Sequence, residues 1–213
     1  MTPYSMDKTK IRALILDYGG VISLPQNPEN VNNILTRLGK ECDDFHRVYR
    51  SLRPLYDDGQ LSGAEYWARV LEHFGIEPDQ HLIARIIRED VQSWTHINGP
   101  MLQFIQECKT RVHRLAIISN MTRETLIFMR ENFSWLDLFD VLTFSCDVGV
   151  NKPAREIYGA CLGKLDASPG ECLFVDDSPE NVRGALDVGM AAIQFTTLAE
   201  FAREVDERFC LTR

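Results

Sequence analysis

Two kinds of hydrophobic pattern divide the sequence. Between about residues 27 and 90 the apolar residues recur at helical spacing, and no strand-like alternation interrupts them. From residue 99 onward, amphipathic segments alternate with short apolar runs, which is typical of helices that alternate with buried parallel strands. Residues 11–16 form an earlier apolar run of the same kind. We therefore predict an α/β fold with a Rossmann-like, doubly wound parallel sheet and a helical insertion after its first strand.

The helical insertion contains four predicted helices. The first, NPENVNNILTRLG, has Asn27 as its N-terminal cap and Gly39 as its stop signal. The second, DDFHRVYRSL, is expected to end at Pro54, since proline disfavours the helical conformation of the residue before it. The third, LSGAEYWARVLEHFG, begins with a capping box formed by Ser62 and Glu65. PDQHLIARIIRED supplies the fourth, and such helices can enclose a small core of their own.

The remaining chain is predicted to form four helix and strand pairs. The helices are GPMLQFIQEC, TRETLIFMRENF, KPAREIYGACLG and SPENVRGALDVG, and the strands that follow them are RLAIISN, FDVLTFSC, ECLFVDD and AAIQF. We predict a core domain of residues 1–24 and 99–213 and a four-helix domain of residues 25–98, with hinges near 23–26 and 97–100.

Composition and charge narrow the functional classes. The chain has 213 residues and a formal net charge of −8 without a basic cluster, which argues against nucleic-acid binding. No apolar run reaches the length of a membrane span, so we expect a soluble, cytoplasmic monomer or homodimer without membrane partners. The six cysteines form no C-x-x-C pair, which favours buried free thiols over a zinc site.

Polar residues follow the predicted strands at the points where they end. They are Asp17 after the first, Ser119 and Asn120 after the second, Lys152 in the loop before a helix, and Asp176 and Asp177 after the fourth. Taken singly, each is better explained as a turn residue, a helix cap or a solvated loop charge. In a doubly wound sheet, however, all of them gather at one edge. Adjacent carboxylates there repel each other unless a cation offsets them, and oxygen ligands favour Mg²⁺ over Zn²⁺.

The segments DYGGVI, IISN, NKP and VDDSPEN, in this order, resemble the four motifs of the haloacid dehalogenase superfamily of hydrolases. The resemblance spans nearly the whole chain, and the helical insertion resembles the α-helical cap of this superfamily. In particular, the chain resembles glucose-1-phosphate phosphatases and the amino-terminal phosphatase domain of soluble epoxide hydrolases. The resemblance implies the strand order 5-4-1-2-3.

The resemblance also implies a role for each polar residue. Asp17 is the expected nucleophile, Lys152 neutralises charge, and Ser119 and Asn120 bind phosphoryl oxygens, helped by the backbone N–H groups of Tyr18 and Gly19. The expected Mg²⁺ ligands are Asp17, the backbone carbonyl of Gly19, Asp176 and Asp177. We therefore predict a Mg²⁺-dependent phosphatase that acts on a small phosphorylated metabolite, of which a sugar phosphate is one candidate.

One departure from the resemblance leaves alternatives open. Phosphatases of the superfamily generally carry a second Asp two places after the nucleophile as general acid and base, and here that position is Gly19. A metal-free 2-haloacid dehalogenase is one alternative, although the adjacent carboxylates argue against it. A non-catalytic protein that binds phosphate is another. In the helical insertion Tyr56, Asp57, Asp58, Trp67 and His96 are weaker candidates for substrate contacts, since packing or surface positions explain them as well.

Overall fold

A five-stranded parallel sheet forms the centre of the protein. The computed structural model describes residues 11–39 and 42–209. The strands are β1 (Ala13–Leu16), β2 (Arg114–Ser119), β3 (Val141–Phe144), β4 (Cys172–Asp176) and β5 (Ala191–Gln194). Their order is β3-β2-β1-β4-β5 with every pairing parallel, which confirms the predicted order 5-4-1-2-3 read from the other edge.

Alternate residues of the central strand contribute to two separate cores. Leu14 and Leu16 pack on one face against helices α5 (Gly99–Lys109), α6 (Arg123–Asn132) and α10 (Leu198–Phe209). Ala13 and Ile15 pack on the other face against α8 (Arg155–Leu165) and α9 (Pro179–Asp187). Because successive side chains of a strand point to opposite faces, a strand that is covered on both sides is apolar throughout. This explains the uninterrupted apolar run before Asp17.

Four helices between β1 and α5 form the inserted cap. They are α1 (Pro28–Leu38), α2 (Cys42–Asp57), α3 (Gly63–His73) and α4 (Gln80–Ser93), and they enclose an apolar cluster of their own around Trp67 and Tyr66. The Asn27 side chain caps α1 by accepting from the N–H of Glu29, as predicted. The Ser62–Glu65 capping box is also present. Local capping signals therefore identified these helix ends correctly.

The prediction that Pro54 ends the second helix is wrong, because α2 continues to Asp57. Proline removes one backbone hydrogen-bond donor from a helix interior. Here the contacts of the neighbouring residues Arg53 and Tyr56 outweigh that loss. Tyr56 is 1% exposed. The Arg53 guanidinium also pairs with Asp57 one turn later, at 2.8 Å.

Three further features differ from the sequence-based prediction. The predicted strand over residues 139–146 is shorter, since residues from Ser145 onward form the short helix α7 (Ser145–Val148). Helix α8 begins at Arg155 instead of at Lys152. The C-terminal helix α10 was not predicted at all.

The chain crosses between the sheet domain and the cap at two adjacent segments. Ser23 and Ile97 form an isolated antiparallel bridge, and the N–H of Leu24 donates to the carbonyl of His96 at 2.7 Å. The predicted hinges fall on these crossings, while hinge motion and the domain limits at residues 24/25 and 98/99 stay predictions.

The state of the cysteines and the character of the helices match what the composition indicated. Cys108, Cys146, Cys161 and Cys172 are buried free thiols, as predicted, and the side chains of Cys42 and Cys210 lie outside the described residues. None of the described helices combines the length and the apolar character that a bilayer crossing requires.

Candidate active site

The carboxyl edge of the sheet brings the predicted polar residues together. Asp17 directly follows β1, Ser119 ends β2 and Asp176 ends β4. The backbone N–H of Asp17 donates to the carbonyl of Val175 at 2.8 Å, which ties the end of β1 to β4. All three side chains are buried, with Asp17 7% and Asp176 0% exposed. The parallel sheet therefore positions these groups as the strand order predicted.

A buried lysine joins two of the carboxylates. Nζ of Lys152 lies 2.8 Å from Oδ1 of Asp17 and 2.6 Å from Oδ2 of Asp176, and it donates to the carbonyl of Ile118 at 3.1 Å. The three donor positions of the ammonium group are thereby matched by three oxygens. Since Lys152 is only 4% exposed, its charge acts on its partners with little screening by water.

Asp176 is held by several donors at once. Besides Lys152, it accepts hydrogen bonds from the backbone N–H of Ser178 at 2.9 Å and from Nδ2 of Asn181 at 3.0 Å. Asn181, in the first turn of α9, was missed by the sequence analysis although it ends the VDDSPEN segment. Asp176 therefore has two roles: it holds the ammonium group of Lys152 in place, and it belongs to the acidic cluster.

The donor set of the acidic cluster fits a hard divalent cation. Asp17, Asp176 and Asp177 each place a carboxylate oxygen within 4.8 Å of those of the other two. Asp177 is the exposed member and faces a cavity, where a ligand can reach it. Oxygen-only ligands of this kind suit Mg²⁺, whereas zinc sites are usually built from cysteine and histidine.

The electrostatics of the cluster show an excess of negative charge. Burial raises the pKa of Asp17 to about 7, with a further increase from Asp176, although Lys152 and the hydrogen bond from Ser119 lower it. The pKa of Asp177 is also raised, by loss of surrounding water and by Asp176. Burial alone would lower the pKa of Lys152, but Asp17 and Asp176 outweigh it and raise that pKa. One ammonium group thus leaves the three carboxylates incompletely compensated, and a divalent cation would remove the imbalance.

The side chain of Asn120 contacts the backbone of Lys152. Its Oδ1 accepts from the Lys152 N–H at 2.7 Å, and its Nδ2 donates to the Lys152 carbonyl at 3.2 Å. Both main-chain groups of Lys152 are therefore engaged with the loop after β2, which explains why α8 begins later than predicted. Asn120 thus positions Lys152, and its role in binding phosphoryl oxygens stays a prediction.

The two glycines after Asp17 serve different purposes. Gly20 has φ +71°, a conformation that strains any residue with a side chain, and a Cβ there would lie 2.5 Å from Oδ2 of Asp177, so this carboxylate would have to move. Gly19 has φ −66°, and a Cβ there would lie 3.6 Å from Cζ3 of Trp94, an ordinary contact. The backbone thus requires glycine at position 20 and merely permits it at position 19.

Both the backbone and the side chain of Tyr18 hold the turn that follows Asp17. Its backbone N–H donates to Oδ1 of Asp17 at 2.6 Å, so this predicted phosphate ligand is engaged with the carboxylate itself. Its hydroxyl donates to the carbonyl of Trp94 at 2.5 Å, and its ring stacks on Trp135 at a centroid distance of 6.2 Å. The residue next to Asp17 is therefore anchored to the end of the cap.

A cavity of about 470 Å³ lies between this edge of the sheet and the cap. A volume of this size is typical of small-molecule sites. Asp17, Gly19, Ser119, Lys152 and Asp177 line its floor. The cap side is formed mainly by Tyr49, Arg50, Arg53, Asp57 and Trp94, with Pro25 and Gln26 from the crossing segment. A ligand bound at Asp17 would therefore contact the cap.

Of the five weaker candidates in the insertion, only Asp57 lines the cavity. Tyr56 and Trp67 are buried in the cap core, with exposures of 1% and 0%. His96 is bonded to Asn27, and Asp58 bonds to Gln60. Tyr49, Arg50, Arg53 and Trp94 were missed, because helical periodicity identifies a buried face but not the residues at its border.

A buried ion network supports the cap wall. The Arg53 guanidinium lies 2.8 Å from Oδ1 of Asp57 and 3.1 Å from Oδ2 of Asp90, and the Tyr49 hydroxyl donates to Oδ1 of Asp90 at 2.7 Å. Burial raises the pKa of Asp57 even though Arg53 lowers it. The two carboxylates raise the pKa of Arg53 in spite of its burial. This network fixes the direction of α2 relative to α4.

The motif order and the geometry lead to a family assignment. Residues 11–189 match the model of the haloacid dehalogenase-like hydrolase family. The chain belongs to this family. It is therefore a hydrolase of the haloacid dehalogenase-like type, and the predicted resemblance is confirmed.

Curated relatives match this hydrolase over very different shares of their own length. It is 32% identical over 136 residues to bifunctional epoxide hydrolase 2 of Mus musculus, a match that covers 61% of this chain and 24% of that protein. It is 30% identical over 155 residues to the sesquiterpene phosphatase astK of Aspergillus oryzae, covering 67% of this chain and 78% of that protein. The chain thus spans about a quarter of the mouse epoxide hydrolase but most of the fungal phosphatase.

Solved structures confirm the fold of this hydrolase. A HAD family enzyme from Bacteroides thetaiotaomicron superposes with a TM-score of 0.77 at 19% identity, covering 92% of this chain and 98% of that one. The L-2-haloacid dehalogenase from Xanthobacter autotrophicus superposes with a TM-score of 0.68 at 20% identity, covering 92% of this chain and 83% of that one. At such identities the similarity establishes the α/β core with its helical cap and leaves the reaction open.

Proposed function

We propose that the protein is a Mg²⁺-dependent phosphatase that hydrolyses a small phosphorylated metabolite through an aspartyl-phosphate on Asp17. The observation that carries this proposal is the cluster of Asp17, Asp176 and Asp177, whose carboxylate oxygens lie within 4.8 Å of one another beside the buried Lys152. An anionic nucleophile reacts with an anionic phosphate only where cations screen their repulsion.

In the first step a carboxylate oxygen of Asp17 attacks phosphorus, the bond from phosphorus to the ester oxygen breaks, and the alcohol leaves with a proton taken from solvent water. Lys152 holds the carboxylate in place at 2.8 Å and offsets the charge that gathers on the phosphoryl oxygens. Ser119 lines the cavity beside Asp17 and lowers the pKa of that carboxyl group, and its hydroxyl is the proposed donor to the same phosphoryl group. Water then attacks phosphorus and gives up a proton to solvent, the bond between Asp17 and phosphorus breaks, and inorganic phosphate leaves with Asp17 restored as a carboxylate.

Mg²⁺, when bound, would supply the remaining positive charge at the phosphoryl group. Asp17, Asp177 and Asp176 are the proposed ligands, with the backbone carbonyl of Gly19 as a fourth. Two comparisons support this assignment: another structure of the Bacteroides thetaiotaomicron enzyme is a complex with magnesium and inorganic phosphate, and the Aspergillus oryzae relative is named a phosphatase.

Two measurements on the purified chain test the proposal. Release of inorganic phosphate from a panel of phosphorylated metabolites should require Mg²⁺ and should stop when EDTA is added. Asp17→Asn should remove this activity, while Asp44→Asn, a change in an exposed cap residue, should retain it. Activity that persists in Asp17→Asn would contradict the proposed nucleophile and favour the non-catalytic alternative. Halide release from a 2-haloacid in the presence of EDTA would instead favour the dehalogenase alternative.

A further inference from the structure

The ring of Trp94 lies against the open space beside Gly19. A Cβ at position 19 would lie 3.6 Å from Cζ3 and 4.0 Å from Cε3 of Trp94, so the six-membered part of the indole faces the turn that follows Asp17. Both residues line the cavity above the acidic cluster. An in-line attack by Asp17 directs the leaving group away from the sheet and into this cavity. A leaving group that follows this direction enters the space that the Trp94 ring borders.

Two contacts tie Trp94 to the region around Asp17. Its backbone carbonyl accepts the hydroxyl hydrogen of Tyr18, the residue next to Asp17, at 2.5 Å. Its side chain packs against the apolar core on the α5 face of the sheet. Because the ring is anchored to the nucleophile's own turn, it forms a firm wall that a ligand has to match.

The aromatic residues of this wall present carbon to the cavity. Nε1 of Trp94 is buried, so the indole N–H does not face the ligand. The Tyr49 hydroxyl is engaged with Asp90 at 2.7 Å and with Gln26 at 3.1 Å. Met121 and Pro25 add further apolar surface to the same cavity. Of the polar groups on the same wall, Arg53 is paired with Asp57 at 2.8 Å and Gln26 is bonded to Tyr49 and Ser93. Hydroxyl groups placed directly against Trp94, Met121 and Pro25 would lose water without gaining partners there, which is unfavourable.

We infer that Trp94 determines specificity, and that the substrate is a phosphate monoester whose leaving group is flat and apolar, aromatic or unsaturated, in preference to a polyhydroxylated sugar. This inference rests on the proposed phosphatase function. A flat apolar group that stacks on the indole buries apolar surface and can adopt the offset arrangement that aromatic groups prefer. The phosphoryl group would bind at the floor of the cavity.

Benzyl phosphate and glucose 6-phosphate form a suitable pair of test substrates, since both are esters of primary alcohols and differ chiefly in polarity. With the full chain and Mg²⁺, we expect kcat/KM to be about 10- to 100-fold higher for benzyl phosphate. Trp94→Ala should reduce this ratio to within about threefold of unity, mainly through KM for benzyl phosphate. Trp94→Phe, which keeps a flat ring, should preserve most of the preference.

Trp67→Phe is the matched control, because Trp67 is buried in the cap core and does not line the cavity. It should lower the melting temperature without altering the ratio. Equal or greater kcat/KM for glucose 6-phosphate would overturn the inference while leaving the phosphatase proposal intact. If the ratio of kcat/KM values for the two esters is unchanged in folded Trp94→Ala, Trp94 does not determine specificity. Absence of phosphate release from every ester would instead contradict the phosphatase proposal itself.

Discussion

Oδ2 of Asp177 occupies the space where a side chain at Gly20 would begin. A Cβ at Gly20 would lie 2.5 Å from that oxygen, and Gly20 has a φ of +71°. The turn after Asp17 and the carboxylate after β4 are therefore in close contact, and a methyl group at Gly20 would displace that carboxylate. Such close approach is characteristic of a position that only glycine can fill.

Gly20→Ala is expected to destabilise the protein by about 1 to 3 kcal/mol, because an L-residue is strained at positive φ and Asp177 has to move. The displaced carboxylate should also weaken Mg²⁺ binding by about tenfold or more. Thermal unfolding and calorimetric Mg²⁺ titration measure the two effects. Gly19→Ala is the matched control, since its φ of −66° and its space accept a methyl group. Equal losses in both variants would contradict this account.

The absence of a carboxyl group at Gly19 should slow hydrolysis of the phosphorylated Asp17, so that this intermediate accumulates during turnover. Rapid acid quenching followed by peptide mass spectrometry should detect it. Gly19→Asp introduces a general base beside the nucleophile and should speed dephosphorylation by at least about tenfold, with less intermediate present. Gly19→Asn has the same size but cannot take up a proton, and it should not show this gain. If no phosphorylated Asp17 peptide is found during turnover, the covalent pathway is disfavoured.

Arg53→Met should destabilise the cap strongly. The variant leaves Asp57 and Asp90 buried with no guanidinium between them, and loss of one member of a buried ion network costs about 3 to 5 kcal/mol. Arg203→Met provides the comparison, because Arg203 and Glu207 are 65% and 61% exposed and such pairs contribute about 0 to 1 kcal/mol. Chemical denaturation of both variants measures the difference. Similar stabilities would show that the cap network does not hold α2 in place.

Asp17→Asn should make the metal-free protein more stable at neutral and alkaline pH. The folded-state pKa of Asp17 is raised from 3.8 to about 7, so between these values the folded protein binds more protons than the unfolded chain. Stability therefore falls as the pH rises through this window. Removing the carboxylate should stabilise the fold by about 1 to 3 kcal/mol at pH 8, with little difference near pH 4. Lys152 keeps Asp176 as a partner at 2.6 Å.

Melting curves in EDTA from pH 4 to pH 8 measure this dependence. EDTA is needed because a bound cation would favour the ionised carboxylate and lower its pKa. A stability difference that stays constant across the pH range would contradict the assignment of a raised pKa to Asp17.

The sequence predicted the fold and the floor of the site well because both depend on local patterns. Strand ends are marked by the change from apolar residues to Asp17, Ser119 or Asp176, and parallel strands bring such ends together. The border of the cavity was not predictable in this way. Whether Arg50 or Trp94 faces the ligand depends on how α2 and α4 are rotated above the sheet, and periodicity does not specify that rotation. Pro54 shows the related case in which tertiary packing overrides a local helix-breaking signal.

Several hydrogen bonds between the sheet domain and the cap involve main-chain groups of the cap. Three core side chains, Ser145, Asn151 and Glu124, bind the main chain of the cap, at the carbonyls of Asp57 and Pro54 and the N–H of Gly63. Main-chain groups are common to nearly all amino acids. Substitutions of cavity-lining residues of α2 outside the Arg53 network, such as Arg50, therefore leave these main-chain contacts in place. The cavity-facing residues of the cap can therefore change during evolution while the cap keeps its attachment to the sheet domain.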